Sequence, residues 1–150
     1  MSLIEKITAD LKAAMLARDE FTTMTLRGLR SAILYEEVDK GKRDQGLTDM
    51  EIQSVVAREA KKRDDAAKLY ISAGDQERAD KEHDERQILT EYLPKQLSNE
   101  ELKAVIGEII ADNSFEQKDM GKIIATTKAK VGLSANGERI VTTLKQEFFK

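Results

Sequence analysis

Apolar residues recur at steps of three and four along almost the whole chain, the spacing that places them on one face of an α-helix. Ile4, Ile7, Leu11 and Met15 set a first helix that ends near Ala17, opened by Ser2 with Glu5 three places on, the pair that caps a helix reciprocally. A second helix, headed by Asp19, carries two stripes: Leu26, Leu29 and Ile33 on one side, Met24, Gly28, Ala32 and Tyr35 on the other. Two stripes predict neighbours on two faces, with Gly28 letting one of them pack closely. After the polar, glycine-containing loop Gly41 to Leu47, Thr48 and Glu51 cap a third helix that runs from Ile52, Val55 and Val56 to Gly74. Its seam passes through Glu59 and Arg63 before Ala66, Ala67 and Tyr70 resume it, so either the stripe rotates there or the charged pair lines a polar groove. A fourth helix starting at Asp75 is mostly charged until Ile88 and is expected to face solvent over its first half, held by Ile88, Leu89, Tyr92 and Leu93.

The only proline, Pro94, interrupts this run. Proline lacks an N–H and disfavours the α region for the residue before it, so the fourth helix should stop near Leu93. Ser98 and Glu101 then restart a helix with another capping box, and Leu102, Val105, Ile106, Ile109 and Ile110 give it an apolar face. Asp119 is read as the cap of a sixth helix containing Met120, Ile123, Ile124 and Val131. Leu133 to Gly137 is a turn, and Ile140, Val141, Leu144 and Phe148 define a seventh helix. No segment alternates with period two long enough to propose a sheet. The expected fold is all-α, a four-helix N-terminal bundle over residues 1–95 followed by a smaller three-helix domain over 96–150.

Composition narrows the function classes. With no cysteine there is no disulfide framework, thiolate metal site or cysteine nucleophile. The longest uncharged run, Val131 to Gly137, is far short of the roughly 20 apolar residues of a membrane span. Glu5 and Asp10 interrupt the N-terminal stretch where a signal peptide would be apolar, so the expected location is cytoplasmic. A net charge of -3 argues against indiscriminate nucleic-acid binding. From Ser114 onward, however, seven basic residues face four acidic ones, leaving this segment at +3 and the preceding 113 residues at -6.

The reactive inventory is thin. His83 is the only histidine and stands among Asp80, Glu82, Asp84 and Glu85, a solvated setting; a two-metal carboxylate site would need a second histidine. No serine lies in a nucleophile-elbow context, and there is no phosphate-binding loop, dinucleotide fingerprint or zinc-ligand spacing. No catalytic residue, metal or cofactor is therefore assigned. Asp119-Met120-Gly121-Lys122 stands out instead: a helix start with exposed amides, a glycine in the first turn and lysines on both sides suits a phosphate, while an ordinary cap whose glycine packs against helix five or seven is the plainer alternative. Without exposed aromatics between the cations, contact would be to a folded backbone rather than to unpaired bases.

Four segments, Thr25 to Ile33 (TLRGLRSAI), Glu59 to Asp64 (EAKKRD), Glu85 to Ser98 around EYLPKQLS, and Lys118 to Lys122 (KDMGK), resemble the YqeY-like family in a consistent order over essentially the whole chain. That family is similar to the C-terminal tail of the B subunit of tRNA-dependent glutamine amidotransferase. The resemblance implies an all-helical accessory module that contacts tRNA, without a glutaminase or transferase centre of its own. Family-level description also extends to carbon–nitrogen ligase activity with glutamine as amido donor. The expectation taken forward is a non-catalytic module touching folded tRNA weakly through Lys118, Gly121, Lys122, Lys128, Lys130 and Arg139. The competing expectation is a protein partner docked in a groove between the two helical blocks near Glu59, Arg63 and Tyr92.

Overall fold

The structure is a computed structural model describing residues 1–150, all of it helix and connecting turns. Seven helices follow one another: α1 Leu3–Leu16, α2 Glu20–Asp39, α3 Asp49–Ser72, α4 Gln76–Thr90, α5 Asn99–Asn113, α6 Met120–Val131 and α7 Gly137–Thr143. They form two compact units, Met1–Leu93 and Pro94–Lys150. None of the helices is long and apolar enough to cross a membrane.

The caps legible in the sequence set the starts of the first five helices. Ser2, Thr48 and Ser98 each accept the amide three residues on, while Glu5, Glu51 and Glu101 accept the amide of the capping residue in return. Asp19 and Asp75 accept from the amides of Thr22 and Arg78. Gly74, at φ 77, takes the left-handed conformation that lets α3 turn back at once into α4.

The first unit's core is Ile7 and Leu11 of α1, Leu26, Leu29 and Ile33 of α2, Ile52, Val55 and Val56 of α3, and Leu89 with Tyr92 beyond α4. Each fully buried aliphatic side chain contributes about 1.5–3 kcal/mol. Away from this core α3 and α4 continue as a paired hairpin, and the first half of α4 faces solvent as expected at every position but Ala79 and the half-buried Glu82. Ala79 is fully buried, opposite a seam on α3 that shifts from Val56 to Ala60 and Ala67. Ion pairs flank that seam: Arg63 reaches Glu85 at 3.1 Å and Glu59 at 3.2 Å, and Arg86 lies 2.7 Å from Asp64. Alanines bring the two backbones together while contributing little to a hydrophobic stripe, so this packing is hard to recognise from periodicity.

In the second unit, Leu102 and Ile106 of α5 pack with Ile123 of α6, Ala135, and Ile140 and Leu144 at α7. Gln96 donates to the carbonyls of Pro94 and Leu133, and the Leu97 amide donates to the Ser134 carbonyl, so the segment leading into α5 and the α6–α7 turn hold each other. Past Thr143 the chain widens into a π turn, Leu144–Phe148, which lays the Phe148 ring on Gly107: a Cβ there would meet ring carbons at 3.6 Å.

Candidate functional site

The start of α6 differs from the expected phosphate cradle. Asp119 does not cap α6; a short 3₁₀ turn, Gln117–Asp119, precedes it, and the Asp119 carboxylate accepts the amide of Glu116 at 3.0 Å. The Asp119 amide donates to Glu116 O and the Met120 amide to Gln117 O, so two donors at this end are already engaged. An anion placed there would also meet the Asp119 carboxylate. Gly121 packs against neither α5 nor α7, since a Cβ at that position would meet nothing within 4 Å.

The cations chosen from the sequence have different immediate neighbours. Lys118 and Lys122, both largely exposed, stay at the first turn near Glu116 and Asp119, at 3.4 and 4.0 Å. Farther along α6, Lys130 leans toward α5, 3.7 Å from Glu108. Lys128 leans the other way, its Cε and Nζ lying 2.7 and 2.9 Å from where a Cβ on Gly137 of α7 would stand. Arg139 is half-buried and structural: its Nη2 donates to Leu97 O at 2.6 Å and to Asn99 at 3.2 Å.

In the first unit, Glu59 and Arg63 are committed to the α3–α4 ion pairs. Tyr92 instead lines a hollow of about 280 Å³ with Asp10, Thr22, Leu26, Gln87, Ile88 and Glu91. Burial, reinforced by donation to Asp10 at 2.7 Å, pushes the Tyr92 phenol well above its ordinary range, so it remains a neutral donor. Lys6 sits over its ring, 5.4 Å from the centroid. Proton-transfer chemistry needs groups poised near neutrality, and the shifted carboxylates lie on the wrong side of it. Hydrogen bonding from Lys42 and from the Thr48 amide lowers Glu51 to about 2, and Arg58 lowers Glu36. His83 is exposed, and the neighbouring Asp80 accepts from Gln76. No three His, Cys, Asp or Glu side chains gather where they could hold a metal ion.

The least expected surface is the outward side of α2. Leu26, Leu29 and Ile33 enter the core as anticipated and Ala32 of the second stripe packs against it, but the rest of that stripe is uncovered: Met24 is 71% exposed and Tyr35 74%, with Val38 one turn on at 63%, and a Cβ on Gly28 would meet nothing within 4 Å. Gly28 is thus not a packing glycine within the chain, contrary to expectation. Beside the stripe lies a hollow of about 350 Å³ lined by Ile4, Arg30, Ser31, Ile33, Leu34, Glu37 and Arg43. Periodicity shows an apolar stripe without showing what covers it.

Comparison with known proteins places the chain beside curated relatives. The chain is 32% identical over 112 residues to altered inheritance of mitochondria protein 41, mitochondrial, of Kluyveromyces lactis, covering 73% of this chain and 59% of that protein. It is 29% identical over 104 residues to the protein of the same name from Clavispora lusitaniae, covering 68% and 59%. For that of Lachancea thermotolerans the figures are 23% over 152 aligned positions, covering 97% and 80%. The chain thus spans about three-fifths of the length of the first two relatives. A family model described as Yqey-like protein matches residues 4–148, nearly end to end, and the chain belongs to the YqeY-like family.

Proposed function

We propose that the chain is a non-catalytic accessory module that acts by surface contact with a larger partner. The observation that carries this reading is the uncovered face of α2, where Met24, Tyr35 and Val38 stand more than half exposed on one side of a well-packed unit. Large apolar side chains left exposed along one helix face mark interaction sites. The test is glutamine turnover by the purified full chain, with and without misacylated tRNA. The expected result is no amide transfer and no ammonia release above buffer. Glutamine-dependent turnover abolished by a single substitution, for example Asp10→Asn or His83→Ala, would establish the carbon–nitrogen ligase alternative instead.

A second reading, contact with folded tRNA, draws on the +3 charge of residues 114–150, on the exposure of Lys118 and Lys122, and on the resemblance to the amidotransferase tail. Lysines of this kind position a phosphate backbone without reading bases, so affinity should be weak and fall steeply with salt. Fluorescence anisotropy with folded tRNA at about 50 and about 200 mM salt tests it. Lys118→Glu and Lys122→Glu should each weaken binding and flatten the salt slope, and affinity indifferent to both salt and these changes removes the reading. The compartment is read as cytoplasmic; the relatives' printed name makes the mitochondrion the alternative, and fractionation of cells carrying the tagged chain separates the two.

A further inference from the structure

Met24, Gly28, Ser31, Tyr35 and Val38 follow one another along α2 at alternating steps of four and three, a straight seam on the side opposite Leu26 and Ile33. From Met24 to Val38 this seam runs about 21 Å at 1.5 Å per residue, the length of a four-turn helix. Its centre is low, because Gly28 has no side chain and Ser31 a short one, while Met24 and Tyr35 stand up on either side. Such a profile admits the ridge of another helix at close range.

Charge describes the occupant. Arg27, Arg30 and Leu34 follow along one edge of the seam. The arginines of α3 and α4 all hold carboxylates: Arg58 on Glu36, Arg63 on Glu85, Arg78 on Asp75 and Arg86 on Asp64. Those on and beside α2 do not. Arg27 reaches only the Met15 sulfur at 3.9 Å, and Arg30 and Arg43 share the hollow beside the seam without an ion pair, although Glu37 lines it too. Ser31 belongs to both hollow and seam, and Leu34 on the seam's edge lines the hollow too, so the two are continuous. Unpaired arginines in a segment of net -6 are a feature that a carboxylate from outside would satisfy.

We propose that the outward face of α2 docks an amphipathic helix of a partner protein whose apolar ridge lies along Met24, Gly28, Ser31, Tyr35 and Val38 and whose acidic edge enters the Arg30–Arg43 hollow. This rests on the accessory reading above and specifies its partner. A second copy of the chain fits poorly, because antiparallel pairing of two α2 helices sets like edges together and would bring the arginine-bearing edge of one copy against that of the other. A nucleic acid would leave the apolar seam uncovered.

The experiment uses the full chain and two fluorescein-labelled synthetic helical peptides of about 18 residues, identical in a Leu/Ala ridge but edged with Glu in one and Lys in the other. The Glu-edged peptide should bind about tenfold or more tighter, and the double variant Arg30→Glu, Arg43→Glu should reverse the preference. Gly28→Leu should weaken the Glu-edged peptide about tenfold or more while raising the melting temperature, which excludes misfolding as the cause. Equal affinity for the two peptides, or indifference to these substitutions, overturns the proposal. So does self-association abolished by Tyr35→Lys, which would make the occupant a second copy, and so does folded tRNA displaced by the arginine reversals alone. Absence of peptide binding together with absence of glutamine turnover removes this partner and leaves the accessory reading standing; turnover by the isolated chain removes that reading itself.

Discussion

The Tyr92 hydroxyl donates to Oδ2 of Asp10 across 2.7 Å, joining residues 82 positions apart and fastening the chain just beyond α4 to α1. Tyr92→Phe keeps the ring in the core but leaves the Asp10 carboxylate without its donor. The expected cost is about 1–3 kcal/mol, read from urea unfolding of the full chain.

The same bond implies an alkaline dependence. The folded phenol titrates above its unfolded value near 10, so the stabilisation is complete below that pH and is lost as pH rises toward the folded value. Urea midpoints followed above about pH 9 should fall more steeply for the natural chain than for Tyr92→Phe.

Glu51 predicts the opposite limb. Its carboxyl sits at about 2 when folded, against 4.5 otherwise, because Lys42 and the Thr48 amide favour the charged form. A depressed carboxylate contributes stability above its unfolded value and loses it as pH falls through the folded one. Between pH 4.5 and about 2 the natural chain should therefore lose stability faster than Glu51→Gln, measured by circular dichroism in urea.

Much of this organisation can be read from the sequence, and the reason lies in local chemistry. Ser2 with Glu5, Thr48 with Glu51 and Ser98 with Glu101 act within one turn, so their spacing alone identifies them. Asp119 had the right chemistry and failed, because a 3₁₀ turn competes for the same few residues and turns its carboxylate back onto Glu116. The cations of the C-terminal segment were countable, but their directions depend on neighbours: Lys128 and Lys130 are two residues apart and lean toward different helices. The partners of Arg139, Leu97 and Asn99, lie 42 and 40 positions away, beyond any local pattern.

That placement makes Arg139 a test of structure rather than of binding. A lysine ammonium cannot reproduce the guanidinium fork, so Arg139→Lys should destabilise the second unit by about 1–3 kcal/mol. Faster hydrogen exchange at the Leu97 amide, which donates to Ser134, with exchange in α1 to α3 unchanged, is the expected signature.

Two small residues should respond in opposite directions. Ala79 is fully buried in the α3–α4 seam, and Ala79→Leu should cost about 1–3 kcal/mol by overpacking. Gly28 has open space above it, and Gly28→Ala should gain about 0.5–1 kcal/mol in thermal unfolding.

The two cores share no residue: Ile7, Leu26 and Val56 belong to one, Ile106, Ile123 and Ile140 to the other. A lesion in either interior therefore removes packing contacts from its own core and none from the other. An interior substitution thus sorts by core, and urea unfolding followed by hydrogen exchange should show the loss first among the amides of the half that carries it.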